Sequence, residues 1–250
     1  MFAPSPHKIF LVQLFSWISI LIFYTHVDST WVYISILFYI LYAGAGVALT
    51  FHRTLSHRSW VFNPLIKKIL IIIASLANVG SAITWVAIHR AHHIYCDTKK
   101  DPHSPKFYSW WYIMFGTMFS PISVRRVPDL LRDKFLIVLH KYYYLIQIPW
   151  IIFLYYIGGI LAIFACHIIP GGLTWLAGSF LNYVNHTTGY KNFNTNDSSV
   201  NNYLTGFLVL GEGWHNNHHK NAISNTTKDK WFEFDLIYYI AILLGGKKNV

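Results

Sequence analysis

Charged side chains are scarce in this sequence. Asp, Glu, Lys and Arg make up 12% of its 250 residues, whereas 54% are hydrophobic and 18% are aromatic. Because soluble domains carry about 25% charged residues, this composition argues against a soluble fold and indicates a membrane protein. The formal net charge of +10 does not indicate a nucleic-acid partner, because the basic residues alternate with apolar runs instead of forming one hydrophilic patch.

Cysteine is nearly absent as well. Cys96 and Cys166 are too few for a disulfide framework, and we interpret both as reduced thiols. A cleavable signal peptide is not evident, because the apolar run from Ile9 lacks a small-residue cleavage pattern and leads directly into a second run. No linker, low-complexity tract or internal repeat divides the chain, so we predict one integral-membrane domain over residues 1–250.

Four apolar runs predict membrane-spanning helices. The hydrocarbon core is about 30 Å thick and a helix rises about 1.5 Å per residue, so a run of about 20 residues crosses it. The runs form two helical hairpins, the second of which is predicted to turn at Pro170-Gly171-Gly172. The predicted spans are 9–25, 31–51, 143–164 and 173–190.

The uncharged run 69–88 is also long enough to span. A spanning helix there would place the histidines of 52–57 and those of 89–93 on opposite faces of the membrane. It would also divide the basic residues of 52–142 between the two faces, against the usual charge asymmetry. We therefore predict an interfacial or protein-covered helix that stays on one side and begins near Lys67 and Lys68.

The distribution of positive charge predicts the orientation. Of the 20 Lys and Arg residues, one precedes the first span, thirteen lie in 52–142 and six follow residue 186, and neither predicted hairpin turn contains any. Loops rich in Lys and Arg stay cytoplasmic. We predict an all-α membrane protein with four transmembrane helices in two hairpins, with both termini and a helical cap in the cytoplasm.

Histidines supply the candidate site. They form three clusters, HRTLSH at 52–57, HRAHH at 89–93 and HNNHH at 215–219, and His186 lies at the cytoplasmic end of the last predicted span. Imidazoles in this number suit iron, zinc, copper or nickel better than magnesium or calcium. Nine ligands exceed what one metal can hold, so we predict a two-metal site. Its ligands are His52, His57, His89, His92, His93, His186, His215, His218 and His219.

Helical periodicity predicts how the ligands divide. Adjacent residues on a helix point about 100° apart, so His92 and His93 should serve different metals, as should His218 and His219. His52 and His57 diverge by about 140° on an α-helix, which also suits two centres. Asn182 shares a helix face with His186 and should act through a water. The acids expected to orient imidazoles by accepting their second N–H are Asp97, Asp101, Asp197 and Glu212.

The donor set favours oxidative chemistry. Iron held by imidazoles with open positions suits dioxygen activation, and a site at the membrane interface can take a lipid chain from one side and electrons from the other. A zinc hydrolase is disfavoured because no HExxH glutamate accompanies the ligands. A metal transporter would place its ligands within the spans. A non-catalytic metal-binding or metal-transport protein stays an alternative, and we interpret His103 as a supporting or structural residue.

The motifs resemble those of membrane-bound fatty acid desaturases, in particular the stearoyl/acyl delta-9 type. The matching features are HRxxxH at 52–57, HRAHH at 89–93 followed by Asp101-Pro102-His103, an NxxxH element at 182–186, and GEGWHNNHH at 211–219. The resemblance covers about residues 43–236. It implies an enzyme that uses two irons, dioxygen and an external electron donor to insert a cis double bond into a saturated acyl chain. It also implies that the nine histidines are the iron ligands, with Asn182 acting through water and no catalytic residue separate from them.

The resemblance further implies a bent apolar tunnel for the acyl chain, with Ile36, Ile40 and Trp85 as candidate lining residues. The substrate would be an acyl-lipid or an acyl thioester, and the donor a ferredoxin or a cytochrome b5. Ala87-Ile88 stand where animal acyl-CoA desaturases carry a charged pair, so the chain looks more like bacterial or cyanobacterial members. A related di-iron acyl hydroxylase or ketolase stays the nearest alternative.

Overall fold

The architecture is almost entirely helical. It is a computed structural model that describes residues 3–249. Two long helices begin the chain, α1 (Pro6–His26) and α2 (Ser29–Ser56). Ser5 caps α1 by accepting a hydrogen bond from the Lys8 backbone N–H, and Asp28 caps α2 in the same way through Thr30. Both side chains are N-caps, and Asp28 starts α2 two residues after α1 ends.

Shorter elements follow in the order of the chain. They are β1 (Trp60–Val61), α3 (Pro64–Leu76), α4 (Ala82–Tyr95), α5 (Trp110–Phe115), three 3₁₀ turns (Thr117–Phe119, Val124–Arg126, Leu130–Arg132), α6 (Lys134–Lys141), α7 (Gln147–Ile163), a π-turn (Phe164–Ile168), α8 (Ile169–Val184), α9 (Tyr203–Leu208), α10 (His215–Lys220), α11 (Leu236–Leu243) and β2 (Lys247–Lys248). The two strands pair antiparallel, with Trp60 opposite Lys248.

Three continuous helical stretches are long and apolar enough to cross a membrane: Pro6–His26, Ser29–Ser56 and Gln147–Val184. The first two contain the predicted spans 9–25 and 31–51. The third contains most of the two later predicted spans, but the position of its turn differs from the prediction.

The chain reverses at Gly158-Gly159, so the predicted turn at residues 170–172 is wrong. Gly159 has a φ of +64°, which glycine adopts without steric cost. On either side of this point, Trp150 donates from Nε1 to the Tyr42 hydroxyl at 3.0 Å, and the His167 ring lies 6.5 Å from the Tyr42 ring. Residues 150 and 167 therefore lie side by side on antiparallel arms.

Pro170 is the second residue of α8, directly after the π-turn, so it does not end the helical stretch. A proline is tolerated in the first helical turn because the N–H it lacks has no partner there. Gly171 and Gly172 serve close packing: a Cβ at Gly172 would lie 2.9 Å from the Ser16 side chain of α1. Pro170-Gly171-Gly172 thus lie in the first turn of α8, where it packs against α1. The sequence pattern alone does not distinguish this arrangement from a turn between helices.

The second half of α2, Ile40–Ser56, is a π-helix. Its backbone hydrogen bonds join residues five apart, and the hydroxyls of Thr50 and Thr54 donate to carbonyls five residues earlier. Most of this half is buried within the protein, whereas the first half exposes apolar side chains such as Leu37. The protein-covered half of α2 carries the first histidine motif.

Residues 69–88 do not form one helix. A break at residues 77–80 separates α3 from α4, with Asn78 at φ +59° and Gly80 at φ +95°. The Gln13 side chain of α1 donates to the Asn78 carbonyl at 2.8 Å, and Ser81 caps α4. The predicted single helix is therefore two, and the 13 residues of α3 rise only about 20 Å. The break leaves α4 to carry the second histidine motif in a new direction.

Gly213 lies where a side chain has no space. A Cβ there would overlap the backbone nitrogen of Gly206 and the carbonyl carbon of Thr205, whereas a Cβ at Gly178 would meet nothing within 4 Å. We expect Gly213→Ala to destabilise the fold by about 2–3 kcal/mol through overpacking, and Gly178→Ala to be neutral or stabilising. Thermal unfolding in detergent micelles measures both, and equal midpoints would contradict the packing described here.

Candidate metal centre

Four segments bring the nine predicted histidines together. His52 and His57 lie at the end of the π-helical half of α2, and α4 carries the second motif. The third motif forms the short helix α10, and His186 follows the end of α8. Their rings divide into two groups, named here the first and second clusters.

The first cluster holds five imidazoles whose candidate ligand nitrogens all lie within 4.8 Å of one another. The Nε2 atoms of His57 and His89 are 2.7 Å apart. His218 Nε2 lies 3.1 Å from His52 Nε2 and 3.0 Å from His93 Nε2. The members are His52, His57, His89, His93 and His218.

The second cluster holds the other four predicted ligands. The Nε2 atom of His219 lies 3.3 Å from that of His92 and 3.0 Å from that of His215. The ring of His186 packs 5.1 Å from the rings of both His215 and His219. The Cys96 thiol lies within 4.8 Å of the ligand atoms of His92, His186 and His219.

Neighbouring histidines separate as the periodicity predicts, with one exception. His93 and His218 lie in the first cluster, and His92 and His219 in the second. His52 and His57 share the first cluster, so the prediction that they serve different centres is wrong. The cause is the π-helix: the His57 N–H donates to the His52 carbonyl at 3.1 Å, which stacks residues five apart on the same face.

Three of the four candidate acids contact an imidazole Nδ1. Glu212 lies 2.8 Å from Nδ1 of His52, Asp101 lies 3.0 Å from that of His92, and Asp197 lies 2.8 Å from that of His219. Each carboxylate accepts the Nδ1 proton and thereby leaves Nε2 with a free lone pair. This tautomer directs the metal-binding nitrogen into the cluster.

Asp97 contacts no imidazole. It accepts hydrogen bonds from the backbone and hydroxyl of Ser198 and from Lys106. The Ser198 hydroxyl in turn lies 3.3 Å from Nδ1 of His186, so Asp97 supports this ring through one intervening side chain. Ser198 has no motif context that would identify it from the sequence.

The imidazole contacts suit a bound cation. His92 and His219 both donate from Nδ1 to carboxylates, so their Nε2 lone pairs face each other at 3.3 Å. Nε2 of His186 is buried without a hydrogen-bond partner among residues 3–249. Burial, reinforced by the neighbouring histidines, holds the pKa values of His89, His92, His215 and His218 well below 6.5. Neutral imidazoles in this arrangement fit two transition-metal ions.

Charged groups behind the ligands stabilise the carboxylates. Burial opposes ionisation of Glu212, but Arg53 and His52 outweigh it and lower the pKa of Glu212. Burial likewise opposes ionisation of Asp197, but hydrogen bonds from His219 and Ser199 lower the pKa of that carboxyl. Asp101 differs from these two carboxylates, because burial raises its pKa to about 7.

Arg53 and Asp235 form a buried network that sequence reasoning missed. Arg53 donates from Nε to Glu212 at 2.8 Å and from its two terminal nitrogens to the carboxylate of Asp235. It thus connects the first histidine motif to the third and to the start of α11. The available signal was a charged residue inside an otherwise apolar segment, since a buried charge requires a partner.

An apolar cavity, partly open to the surface, reaches the clusters. His52, His89 and His215 border it, with Asn182 and Trp85 beside them. On α2 its wall is formed by Ala43, Val47 and Ala48. Ile36 and Ile40 lie outside this lining, and the Ile36 side chain is 45% exposed.

Comparison with known proteins identifies relatives over most of the chain. The family model for fatty acid desaturases matches residues 28–238. The chain is 33% identical to the sn-1 stearoyl-lipid 9-desaturase of Anabaena variabilis, over 84% of this chain and 79% of the relative. It is 33% identical to the protein of the same name from a Synechocystis strain, over 96% and 74%. An sn-2 palmitoyl-lipid 9-desaturase from a Nostoc strain is 31% identical, over 82% and 74%.

His218 lies between two other ligands of the first cluster, so its removal should release one metal. We expect His218→Ala to bind one ion per chain where the unmodified protein binds two. His26→Ala, at the exposed end of α1, should still bind two. Elemental analysis after anaerobic loading with Fe²⁺ measures this. A free metal concentration of about 100 times the Kd adds about 2.7 kcal/mol to the free energy of unfolding. Chelation of the metal should therefore also lower the melting temperature. Equal metal content in both variants would contradict the first cluster as a metal site.

Proposed function

Because this chain belongs to the fatty acid desaturase family, we propose that it inserts a cis double bond at position 9 of a saturated acyl chain. The position follows the names of the three cyanobacterial relatives. The observation that carries the proposal is the apolar cavity that ends on two histidine clusters. A non-catalytic metal carrier has no use for such a cavity beside its ligands.

The metals of this proposal are two irons. The first cluster would hold one iron with five imidazoles, and the second cluster would hold the other with four imidazoles and a water positioned by Asn182. When bound, iron would activate dioxygen, the oxidant for removal of hydrogen from an unactivated methylene. Glu212, Asp101 and Asp197 fix the ring tautomers, and Asp97 supports His186 through Ser198. We propose no catalytic residue apart from the ligands.

The cavity positions the acyl chain. Its lining among the described residues contains no Lys or Arg, so it offers an apolar chain a dry path past the clusters. The Trp85 ring stacks on His89, with ring centres 5.1 Å apart, and would hold the chain against this ligand. Which carbons lie opposite the metals then depends on how far the chain enters, which makes the selection of position geometric.

The reaction requires an external reductant. Dioxygen takes up four electrons and four protons to become two waters. The acyl chain gives two electrons and two protons when two C–H bonds are replaced by the second carbon–carbon bond. The other two electrons come from a one-electron donor that acts twice, and two protons come from solvent. We propose a ferredoxin or a cytochrome b5 as this donor.

The proposed substrate is an acyl chain esterified to a membrane lipid. The relatives named above are lipid desaturases, and Ala87-Ile88 leave no charged pair before the second motif to bind a polyphosphate headgroup. An acyl thioester is the alternative carrier. Separate analysis of the lipid and thioester fractions in the assay below distinguishes the two.

We further propose one integral-membrane domain with four crossing segments in two hairpins. The apolar helices α1 and α2 and the reversal at Gly158-Gly159 support the hairpins. The thirteen basic residues of 52–142 support a cytoplasmic position for the clusters and both termini.

Expression in a desaturase-deficient host tests the reaction. Gas chromatography with double-bond localisation should show a new cis-9 monoene with the unmodified protein and with His26→Ala. His92→Ala should give none, although it inserts into the membrane normally, because the second cluster loses a ligand that faces His219. An oxygenated product would favour an acyl hydroxylase instead. Unchanged product from His92→Ala would contradict the site.

Thiol labelling tests the topology. With Cys96 and Cys166 replaced by serine, a cysteine at Val27 should react with a membrane-impermeant reagent only from the non-cytoplasmic side. A cysteine at Lys228, which follows the third motif, should react only from the cytoplasmic side. Labelling of both positions from one side would overturn the two-hairpin arrangement.

A further inference from the structure

A row of basic side chains, in which Arg90 is only 16% exposed, leads from the surface to the first cluster. The Tyr95 ring has Lys100 5.7 Å and Arg126 5.3 Å from its centre. Arg90 donates to the Arg126 carbonyl at 2.9 Å and to Asp129, and Arg58 donates to the same carboxylate at 2.8 Å. We call this continuous set the basic strip; its cations are Arg58, Arg90, Lys100 and Arg126.

The basic strip carries an excess of positive charge. Asp129 is the only carboxylate within 4 Å of its cations in the described part of the chain, so four cationic groups face one anion. Hydrogen bonds from Arg90 and Arg58 outweigh burial and hold the pKa of Asp129 well below its usual value, so this count applies at neutral pH. The Arg58 side chain is 62% exposed, and Lys100 is exposed as well.

The basic strip is attached to the backbone of the first cluster. Arg58 follows His57 in the chain, and Arg90 follows His89. The Arg90 guanidinium also donates to the carbonyls of Leu55 and Ser56 at 2.8 and 3.3 Å, next to His57. His57, His89 and His93 are partly exposed, whereas His52 and His218 are buried. Arg58 and Arg90 are therefore each one peptide bond away from a histidine of the first cluster.

We propose that the basic strip is the docking surface for an acidic one-electron carrier protein, and that electrons enter through the first cluster. This inference rests on the proposed function, whose stoichiometry requires two electrons from outside the acyl chain. Complementary charge steers such partners and fixes their orientation without a large apolar interface. A strip that adjoins His57 and His89 in the chain is suited to a partner that delivers electrons. A strip that only bound an anionic membrane would need positive charge, but it would not need to adjoin the histidine clusters.

Lys100→Glu and Arg126→Glu, singly and together, test the proposal. Arg58 and Arg90 stay unchanged because they hold Asp129. Lys228→Glu, an exposed lysine after the third motif, makes the same charge change elsewhere. In nanodiscs, we expect the double variant to raise the KM for a reduced acidic [2Fe–2S] ferredoxin, or for reduced cytochrome b5, about tenfold. It should also weaken the salt dependence of that KM. The KM for the acyl substrate and dithionite-driven turnover should be unchanged.

The outcomes separate this proposal from the reaction itself. Donor binding is also measured without turnover, from the fluorescence of labelled ferredoxin and labelled cytochrome b5. Lost binding in the double variant, with an unmodified protein that makes no double bond, would support the docking surface and overturn the proposed reaction. An unchanged donor KM, or an equal effect of Lys228→Glu, would overturn the docking surface. Weaker binding to phosphatidylglycerol vesicles with an unchanged donor KM would overturn it too, and would assign the strip to lipid.

Discussion

The close approach of neutral imidazole nitrogens is the constraint on which this structure depends. Nε2 atoms of different segments lie about 3 Å apart, and at least one pair has both Nδ1 protons committed to carboxylates. Lone pairs in that position repel unless a cation lies between them. The buried carboxylates that contact the rings offset the charge of that cation. Arg53 in turn contacts Glu212. The packing of four segments therefore holds the imidazoles in positions that suit a bound metal.

The π-helical half of α2 is the element that makes the first cluster possible. An α-helix would direct His52 and His57 to different sides, but hydrogen bonds between residues five apart stack them. The same geometry lets the hydroxyls of Thr50 and Thr54 satisfy backbone carbonyls inside a buried segment. Since this half is surrounded by protein and not by lipid, its unusual hydrogen bonding is supported on every side.

Sequence patterns predicted what depends on composition and spacing, and missed what depends on contacts between distant segments. The first two apolar helices and the separation of His92 from His93 into two clusters follow from hydropathy and helical period, and the structure contains both. The turn at Gly158-Gly159 was missed because glycines and prolines also serve helix starts and close packing, as Pro170 and Gly172 do. The pairing of Arg53 with Asp235 joins residues 182 positions apart, and no local pattern encodes it.

The helix α4 explains how one site can receive an apolar chain and electrons without mixing their paths. Trp85 and Ile88 border the cavity, while Arg90 points to the basic strip. On a helix, residue 90 lies about 200° from residue 88, so the two faces are nearly opposite. His89 lies between them and contacts both His57 and the cavity. A chain entering from the apolar side and a donor arriving at the basic side would therefore meet only across the histidine clusters.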